Sequence, residues 1–313
     1  MRRIVFLISL AYGRQASTLL RSTQLSQIVQ GRLEGQGYDV ACGAEDQPSD
    51  AILILSKGYL VDVSPNEIVK HQKRRNLLIA DFVDWRPRPE IIELMDGLIA
   101  SSHQQLAYFR TAFPSKASHL VTHNIDQRIG PIYPATDRLR VGYFGELFNA
   151  RHHEELARGG SINFVQTETR AETPTWLTEL PRHNCHYLLR SFQPWDGFKP
   201  FLKGFTAAHC GAPVIADPIE GDTPFYLPSD YPFYVPRPGT AAEVVHQVRK
   251  IEAAFGSPQW KYALEVMREV QARSAPQVIA REFSGMIRYH LPPVRFAGLR
   301  SSLKRAASSL FSR

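Results

Sequence analysis

The chain lacks the features that mark several protein classes. A membrane-spanning helix needs about 20 apolar residues, and the longest apolar run, Ile4 to Ala11, is short and contains Ser9. Only three cysteines occur, at positions 42, 185 and 210. Their odd number and wide spacing exclude a disulfide framework and a zinc knuckle, and predict free thiols in a reducing cytoplasm. Low-complexity sequence is absent, so a disordered chain is not expected.

Several nucleotide and metal motifs are missing as well. Gly13 stands alone after the first apolar run, so the Gly-x-Gly-x-x-Gly fingerprint of a dinucleotide site is absent. The sequence contains no Gly-Lys-Ser/Thr phosphate loop, no Asp-x-Asp triplet and no His-Glu-x-x-His. We therefore expect no nicotinamide or flavin cofactor, no P-loop nucleotidase and no bound metal.

Positive charge is concentrated at the carboxyl end. The net charge is +7, of which residues 295–313 carry +5 without any acid. The remaining body is nearly neutral, which does not favour a nucleic-acid partner. If the tail is helical, one apolar stripe contains Phe296, Leu299, Leu303, Ala307 and Leu310. We expect such a basic amphipathic tail to bind an anionic membrane surface weakly, a frayed tail being the alternative.

Two series of alternating strands and helices run along the chain. Residues 1–130 hold the first series, residues 131–138 a linker without periodicity, residues 139–290 the second series and residues 291–313 the basic tail. The predicted strands begin at Ile4, Tyr38, Ala51, Asn76, Gly97 and His119, and then at Arg140, Ile162, His186, Val214 and Phe233. This alternation predicts an α/β protein with two doubly wound, Rossmann-type domains facing across a cleft.

The segment Lys199-Pro200-Phe201-Leu202-Lys203 has an unusual charge pattern for the start of a helix. Pro200 suits the first turn of a helix predicted over residues 200–210. Lys199 and Lys203 would share one face at the helix end whose dipole is already positive. An anion would offset this repulsion, and helix N-termini bind phosphate well. The pattern predicts a diphosphate clamp, with two solvated lysines as the alternative.

Acidic residues follow two predicted strands. Glu220 and Asp222 flank Gly221 in the loop after the strand at Val214, and Glu146 follows the strand at Arg140. Open α/β sheets bind ligands at the carboxyl ends of their strands. We take Glu146 and Asp222 as candidate catalytic carboxylates and Glu220 as a contact to a sugar, with solvated loop acids as the alternative.

The loop after the first strand contains three further candidates, which could meet an acceptor: Tyr12, Gly13 and Arg14. For Tyr12 the alternative is packing at the end of the sheet.

Four segments, in this order, resemble the GT-B superfamily of nucleotide-sugar glycosyltransferases. They are Gly97 to Ser102, Val121 to Asp126, Val141 to Leu147 with Arg151 downstream, and Ala207 to Ala216 with Gly211 and Pro213-Val214-Ile215-Ala216. The resemblance covers nearly the whole chain and implies the GT-B fold, with the acceptor bound by the amino-terminal domain and the donor by the carboxyl-terminal one.

The sequence departs from the superfamily at its paired glutamates. These positions fall on Phe198 and Thr206, although Asp196 lies two residues before the first of them. Glu146 stands where the superfamily has a basic residue. The retaining mechanism tied to the paired glutamates is therefore not carried over. The segment instead looks like the Lys-Pro-x-x-Lys of a subset of bacterial glycosyltransferase-like proteins.

The resemblance and the charge pattern together give one set of donor-binding candidates. They are Gly145, Asn149, Arg151, Asp196, Gly197, Phe198, Lys199, Lys203, Thr206 and Glu220. Arg151 falls where the superfamily often has a diphosphate-binding lysine, and a guanidinium can grip phosphate with two N–H groups.

We therefore expect a metal-independent glycosyltransferase without a cofactor. Its donor would be a nucleotide-sugar, and its acceptor a glycan or a lipid-linked sugar at the inner face of a bacterial membrane. Two alternatives remain open. One is an inactive protein of this fold that binds nucleotide or glycan, and the other is a sugar epimerase, which needs no acceptor.

Overall fold

The computed structural model describes residues 2–13, 15–44, 48–168, 171, 174–191, 198–237 and 239–291. Within these residues the strands form two wholly parallel sheets. The strands are β1 (Arg2–Leu7), β2 (Tyr38–Gly43), β3 (Ile52–Leu55), β4 (Leu77–Asp81), β5 (Gly97–Ala100), β6 (Ala117–Leu120), β7 (Val141–Gly145), β8 (Asn163–Gln166), β9 (Cys185–Tyr187) and β10 (Val214–Ile215). The first sheet has the order β2-β1-β3-β4-β5-β6 and the second the order β10-β9-β7-β8.

Helices connect these strands. They are α1 (Ala16–Thr18), α2 (Leu25–Glu34), α3 (Lys57–Asp62), α4 (Pro65–Lys73), α5 (Pro89–Ile92), α6 (His103–Ala112), α7 (His153–Arg158), α8 (Trp176–Glu179), α9 (Leu202–His209), α10 (Thr223–Tyr226), α11 (Ala241–Ala253), α12 (Pro258–Arg273) and α13 (Pro276–His290). A π-helical stretch, Leu19–Gln24, joins α1 to α2, and short 3₁₀ turns span Leu10–Tyr12, Leu147–Asn149 and Leu180–Arg182.

The α/β class and the two doubly wound sheets confirm the fold predicted from the sequence. Three local features differ from the sequence predictions. The segment predicted as a strand at Phe233 forms only a bridge between Ala216 and Tyr234. Helix α3 was not predicted. The helix predicted from Pro200 begins two residues later, at Leu202, with Phe201 as its N-cap.

The amino-terminal sheet is buried on both faces. Alternate residues of β1, β3 and β4 point to opposite sides, so Val5 belongs to one apolar cluster and Ile4 to the other. One cluster packs beneath α3 to α6, and the second packs beneath α2 and α13. Strands covered on both faces are continuous apolar runs, which explains why their sequences show no polar alternation.

The last helix does not stay with the domain in which its sequence position places it. Phe283 of α13 is fully buried and stacks on Phe6 of β1, with ring centroids 5.4 Å apart. Ser284 of α13 exchanges hydrogen bonds with Gln36 after α2. Helix α13, which the predicted domain range 139–290 assigns to the carboxyl-terminal domain, packs on the first sheet and completes its core.

A buried ion pair lies at the carboxyl edge of that sheet. Arg21, in the π-helical stretch, and Asp81, at the end of β4, are each 1% exposed, and Arg21 Nε donates to Asp81 Oδ2 at 2.9 Å. Arg21 Nη1 donates to the carbonyl of Thr122 at 3.1 Å. The backbone N–H of Thr122 in turn donates to Glu282 of α13 at 2.8 Å. One guanidinium thus ties three distant segments together.

None of the helices in the described part of the chain combines the length and the apolar content that crossing a membrane requires.

Removal of Arg21 should destabilise the whole fold. Arg21→Met leaves the Asp81 carboxylate buried without a partner, and we expect a loss of about 3–5 kcal/mol in the free energy of unfolding, measured in urea. Arg3→Met is the control, because Arg3 pairs with Asp39 at an exposed site where both side chains are at least 41% accessible. It should cost about 1 kcal/mol or less. Equal losses in the two variants would contradict the role assigned to Arg21.

Candidate functional site

The carboxyl ends of the two sheets face each other across a cleft of about 590 Å³. The amino-terminal half lines it from the loops after β1, β3 and β4, from the start of α6 and from the segment after β6. The carboxyl-terminal half lines it from the loops after β7 to β10 and from the start of α9. Ligands bind at this edge in open α/β sheets. We name the two sides the amino wall and the carboxyl wall.

Lys203 is the central cation of the carboxyl wall. It lies in the first turn of α9, with Nζ 5.3 Å from the ring centroid of Tyr143. Nζ has no hydrogen-bond or ion-pair partner among the residues that the structure describes. Desolvation, with Arg190 nearby, lowers the pKa of Lys203 to about 7, although Glu220 opposes the shift. This is a desolvated cation that no described carboxylate neutralises by direct contact.

Gly145 makes room for this lysine. A Cβ built on Gly145 would lie 2.9 Å from Lys203 Cε and 2.8 Å from Tyr143 Oη. Any larger residue at the end of β7 would displace Lys203 or Tyr143. The prediction that Gly145 belongs to the site thus has a steric basis, and Thr206 and Asn149 also lie on the carboxyl wall.

Arg151, predicted from the sequence to bind phosphate, instead forms ion pairs within the protein. Its guanidinium bonds to Asp217 at 3.2 Å and Glu220 at 2.9 Å, and Nε donates to the carbonyl of Arg190. Arg151 does not appear among the residues that line the cleft. It holds two carboxylates in place, and Glu220, predicted to contact sugar, accepts a further bond from the N–H of Arg190. The arginine on the carboxyl wall is Arg190, which the sequence analysis missed.

Lys199 and Lys203 do not share a helix face, because α9 begins only at Leu202. Lys199 reaches across the cleft, where its Nζ donates to Asp84 Oδ2 at 2.5 Å. Lys57, the first residue of α3, donates to the other oxygen of Asp84 at 2.6 Å. Burial alone would raise the pKa of Asp84, but the two lysines hold it well below its usual range. The three side chains form an ionic bridge between the walls.

Asp222 and Phe198 also contact the amino-terminal half. The two oxygens of Asp222 accept hydrogen bonds from the backbone N–H groups of His103 and Gln104, at 2.7 and 3.1 Å. This carboxylate is 2% exposed and caps the first turn of α6. Phe198 packs on Tyr108 of α6, with ring centroids 4.8 Å apart. Asp222, which the sequence predicts to be catalytic, therefore binds the start of α6 and links the two halves of the protein. Glu146, the other one, is exposed on the carboxyl wall.

The predicted acceptor residues lie beside the cleft. Tyr12 packs on Gly58, where an added Cβ would lie 2.7 Å from Tyr12 Cβ, and neither Tyr12 nor Gly13 lines the cleft. The same loop reaches the amino wall a few residues later, at Gln15. Three predicted site residues, Arg14, Asp196 and Gly197, lie outside the described residues.

The amino wall contains groups that the sequence analysis did not select. They are Lys57, Asp84, Trp85 and His123. Trp85 is 38% exposed, and Lys57 Nζ lies 5.4 Å from its ring centroid. Burial lowers the pKa of His123 to about 3, so its imidazole is neutral at physiological pH. Position was the available signal for Lys57 and His123, which closely follow the ends of β3 and β6.

On the carboxyl wall, two buried nitrogen atoms have no hydrogen-bond partner among the described residues. They are Nε1 of Trp176 and Nε2 of His186, and both side chains are at most 5% exposed. Buried polar groups are usually paired. A ligand that reaches this wall would meet hydrogen-bonding groups that the protein leaves unused.

The described residues hold no group of three or more His, Cys, Asp or Glu side chains that could bind a metal ion.

The comparisons with known proteins are informative at the level of fold. No protein-family model matches the chain, and no curated protein matches its sequence. A glycosyltransferase from Rickettsia africae superposes with a TM-score of 0.64 at 8% identity, covering 93% of this chain and 99% of that one. HepE of Anabaena in complex with UDP gives a TM-score of 0.59 at 11% identity, covering 92% and 99%.

A third structure is the lipopolysaccharide outer core galactosyltransferase WaaB in its apo form. Its TM-score is 0.59 at 10% identity, and the match covers 92% of this chain and 100% of that one. The chain therefore has the GT-B fold that the sequence analysis predicted.

The charge on Lys203 should cost stability in a pH-dependent way. Its folded-state pKa of about 7 lies below the usual value near 10.4, so protonation favours the unfolded chain. The destabilisation is complete below about pH 7 and fades as the pH rises toward about 10. We expect Lys203→Met to raise the Tm at pH 7 by at least about 2 °C and to change it little near pH 10, measured by calorimetry.

The matched control is Lys70→Met, at an exposed position of α4 far from the cleft. It should leave the Tm unchanged at both pH values. A Lys203→Met variant that is less stable than the wild type at pH 7 would contradict the desolvated state of this lysine.

Proposed function

We propose that this protein is a glycosyltransferase that uses a nucleotide-sugar as donor and binds the donor diphosphate at the carboxyl wall. The observation that carries the proposal is Lys203, a desolvated cation without a hydrogen-bond partner among the described residues, at the first turn of α9. The fold adds support, since it is shared with a structure that contains UDP and with a galactosyltransferase.

The chemistry suits this placement. Cleavage of the bond between a sugar and a diphosphate leaves negative charge on the departing phosphate. Lys203 and Arg190 line the wall, Lys199 lies beside them, and the backbone N–H groups at the start of α9 have no side-chain cap. Preorganised cations and N–H groups lower the barrier because they need no rearrangement when the charge develops. We propose that this clamp acts without a metal ion.

The acceptor is proposed to bind at the amino wall. Trp85 offers an apolar ring surface there, and Lys57, Asp84 and Gln15 offer polar contacts. A wall with one aromatic face and several polar groups fits a hydroxyl-rich ring better than an apolar chain. We propose a glycan or lipid-linked sugar as the acceptor, used on the cytoplasmic side of a membrane.

A non-catalytic binding protein of the same fold is the second candidate. The position of the superfamily's first glutamate holds Phe198, whose ring packs on Tyr108 and leaves no carboxylate there. This candidate retains nucleotide binding and lacks turnover, so the two differ in the release of nucleoside diphosphate over time.

Donor binding is the direct test of the proposed function. We expect one base family, in a panel of UDP-, GDP-, CDP- and dTDP-sugars and the free diphosphates, to raise the Tm by mass action. In calorimetric titration, Lys203→Met should weaken the affinity by about 10- to 100-fold, the range for a hydrogen bond to a charged group. Lys70→Met is the control and should bind as the wild type does. No stabilisation by any member of the panel would overturn the proposal.

Residues 295–313 lie outside the described residues, and the membrane proposal for them rests on their sequence. Each Lys or Arg near an anionic surface contributes about 1 kcal/mol. We expect the full chain to cosediment with vesicles that contain phosphatidylglycerol and to lose most of this binding when 295–313 are deleted. Vesicles of phosphatidylcholine alone are the control. Equal cosedimentation of the full and shortened chains would overturn the proposal.

A further inference from the structure

The end of β4 is a strained turn that projects Asp84 into the cleft. Val83 has a positive φ of 57°, a conformation that is costly for a β-branched residue. Two side chains hold it there: Asp81 Oδ1 accepts from the N–H of Val83 at 3.1 Å, and Ser101 Oγ donates to its carbonyl at 2.8 Å. Strain that the surroundings enforce is characteristic of functional sites. The strained turn at Val83 places the side chain of Asp84 in the cleft.

Asp84 differs from the other carboxylates of the cleft in its partners. Asp126 is bound by Arg128 and Gln24, Asp217 by Arg151 and Arg237, Glu220 by Arg151 and the N–H of Arg190, and Asp222 by the start of α6. Each of these partners belongs to the protein's scaffold. Glu146 lies on the carboxyl wall, on the donor side. Asp84 lies on the amino wall and has one partner there, Lys57, and a second partner, Lys199, on the carboxyl wall.

The bridge between Asp84 and Lys199 has a consequence for donor binding. A diphosphate that enters the carboxyl wall competes with Asp84 for Lys199, because an ammonium group binds phosphate and carboxylate by the same charge-assisted hydrogen bonds. When Lys199 turns to the phosphate, Asp84 keeps Lys57 and loses one of the two cations that suppress its basicity. Its side chain is 20% exposed, so it is open to the cleft yet partly desolvated.

We propose that Asp84 is the general base of the transfer reaction and that the donor diphosphate activates it by drawing Lys199 away. This inference rests on the proposed function. The proton of the acceptor O–H passes to Asp84, and the acceptor oxygen forms a bond to the anomeric carbon. The bond from that carbon to the phosphate oxygen breaks, and its electron pair leaves with the nucleoside diphosphate. In this step the acceptor attacks from the face opposite the departing phosphate, so the reaction inverts the anomeric configuration.

The first experiment tests the competition without requiring turnover. The probe is the nucleoside diphosphate of the base family that binds in the panel, titrated calorimetrically. Asp84→Asn should bind it at least about threefold more tightly than the wild type, because Asp84 no longer competes with the diphosphate for Lys199. In a Lys199→Met background the same substitution should have no such effect. Equal affinities of the wild type and Asp84→Asn would overturn the competition.

The second experiment tests the base. The probe reaction is hydrolysis of the best-binding sugar donor, with water as the acceptor, followed by release of nucleoside diphosphate. Asp84→Asn should slow it by about 100-fold or more at saturating donor, which is the usual contribution of a general base. Asp84→Glu keeps a carboxylate and should recover part of the rate. Asp39→Asn, on the exposed edge of β2, is the matched control and should react as the wild type does.

The product gives an independent readout. For an α-linked donor, the first-formed sugar in a rapid NMR measurement should be the β-anomer. Formation of the α-anomer, or an Asp84→Asn rate within tenfold of the wild type, would overturn the assignment of Asp84 and leave donor binding intact. Failure of every donor to bind would instead remove the proposed function, and this proposal with it.

Discussion

The buried ion pair of Arg21 and Asp81 is the constraint on which the cleft depends. Arg21 reaches Asp81 because the π-helical stretch turns it toward the end of β4, and it bonds to Thr122 as well. Asp81 then accepts from Val83, which fixes the strained turn and the position of Asp84. Through these contacts, the buried guanidinium of Arg21 helps to fix the turn that carries Asp84 at the surface of the cleft. A buried pair of this kind is costly to form, and its benefit here lies in the geometry that it imposes.

The features that the sequence predicted are those that depend on local pattern. Continuous apolar runs such as that of β1 identified the parallel strands, and the change of periodicity identified the helices between them. Ion pairs between residues that are distant in the sequence produce no local pattern from which they could be predicted. Arg151 occupied a position that suggests phosphate, but its partners lie 66 and 69 residues further along the chain. A side chain committed over such a distance cannot be distinguished, in one sequence, from one that awaits a ligand.

Other omissions had a signal that was available. Arg190 directly follows the strand predicted at His186, and a basic residue at a carboxyl strand end faces the ligand edge of the sheet. Asp84 was missed for a different reason. The predicted strand stopped at Ala80, and nothing local indicated that Val83 adopts a left-handed backbone conformation. That conformation is imposed by Asp81 at the end of β4 and by Ser101 after β5, so tertiary contacts decide it rather than propensity.

The charged side chains of the two walls are coupled across the cleft. Cations predominate near α9, yet Lys199 is neutralised by a carboxylate of the opposite wall and Lys203 lies desolvated beside Tyr143. This arrangement has two unfavourable features: the two lysines suppress the basicity of Asp84, and the charge of Lys203 opposes folding. In the proposed mechanism a bound diphosphate relieves both at once, since it pairs with Lys203 and takes Lys199 from Asp84. Under this proposal, the binding energy of the donor assembles the reactive arrangement only when the leaving group is present, and proton abstraction in the absence of donor is limited.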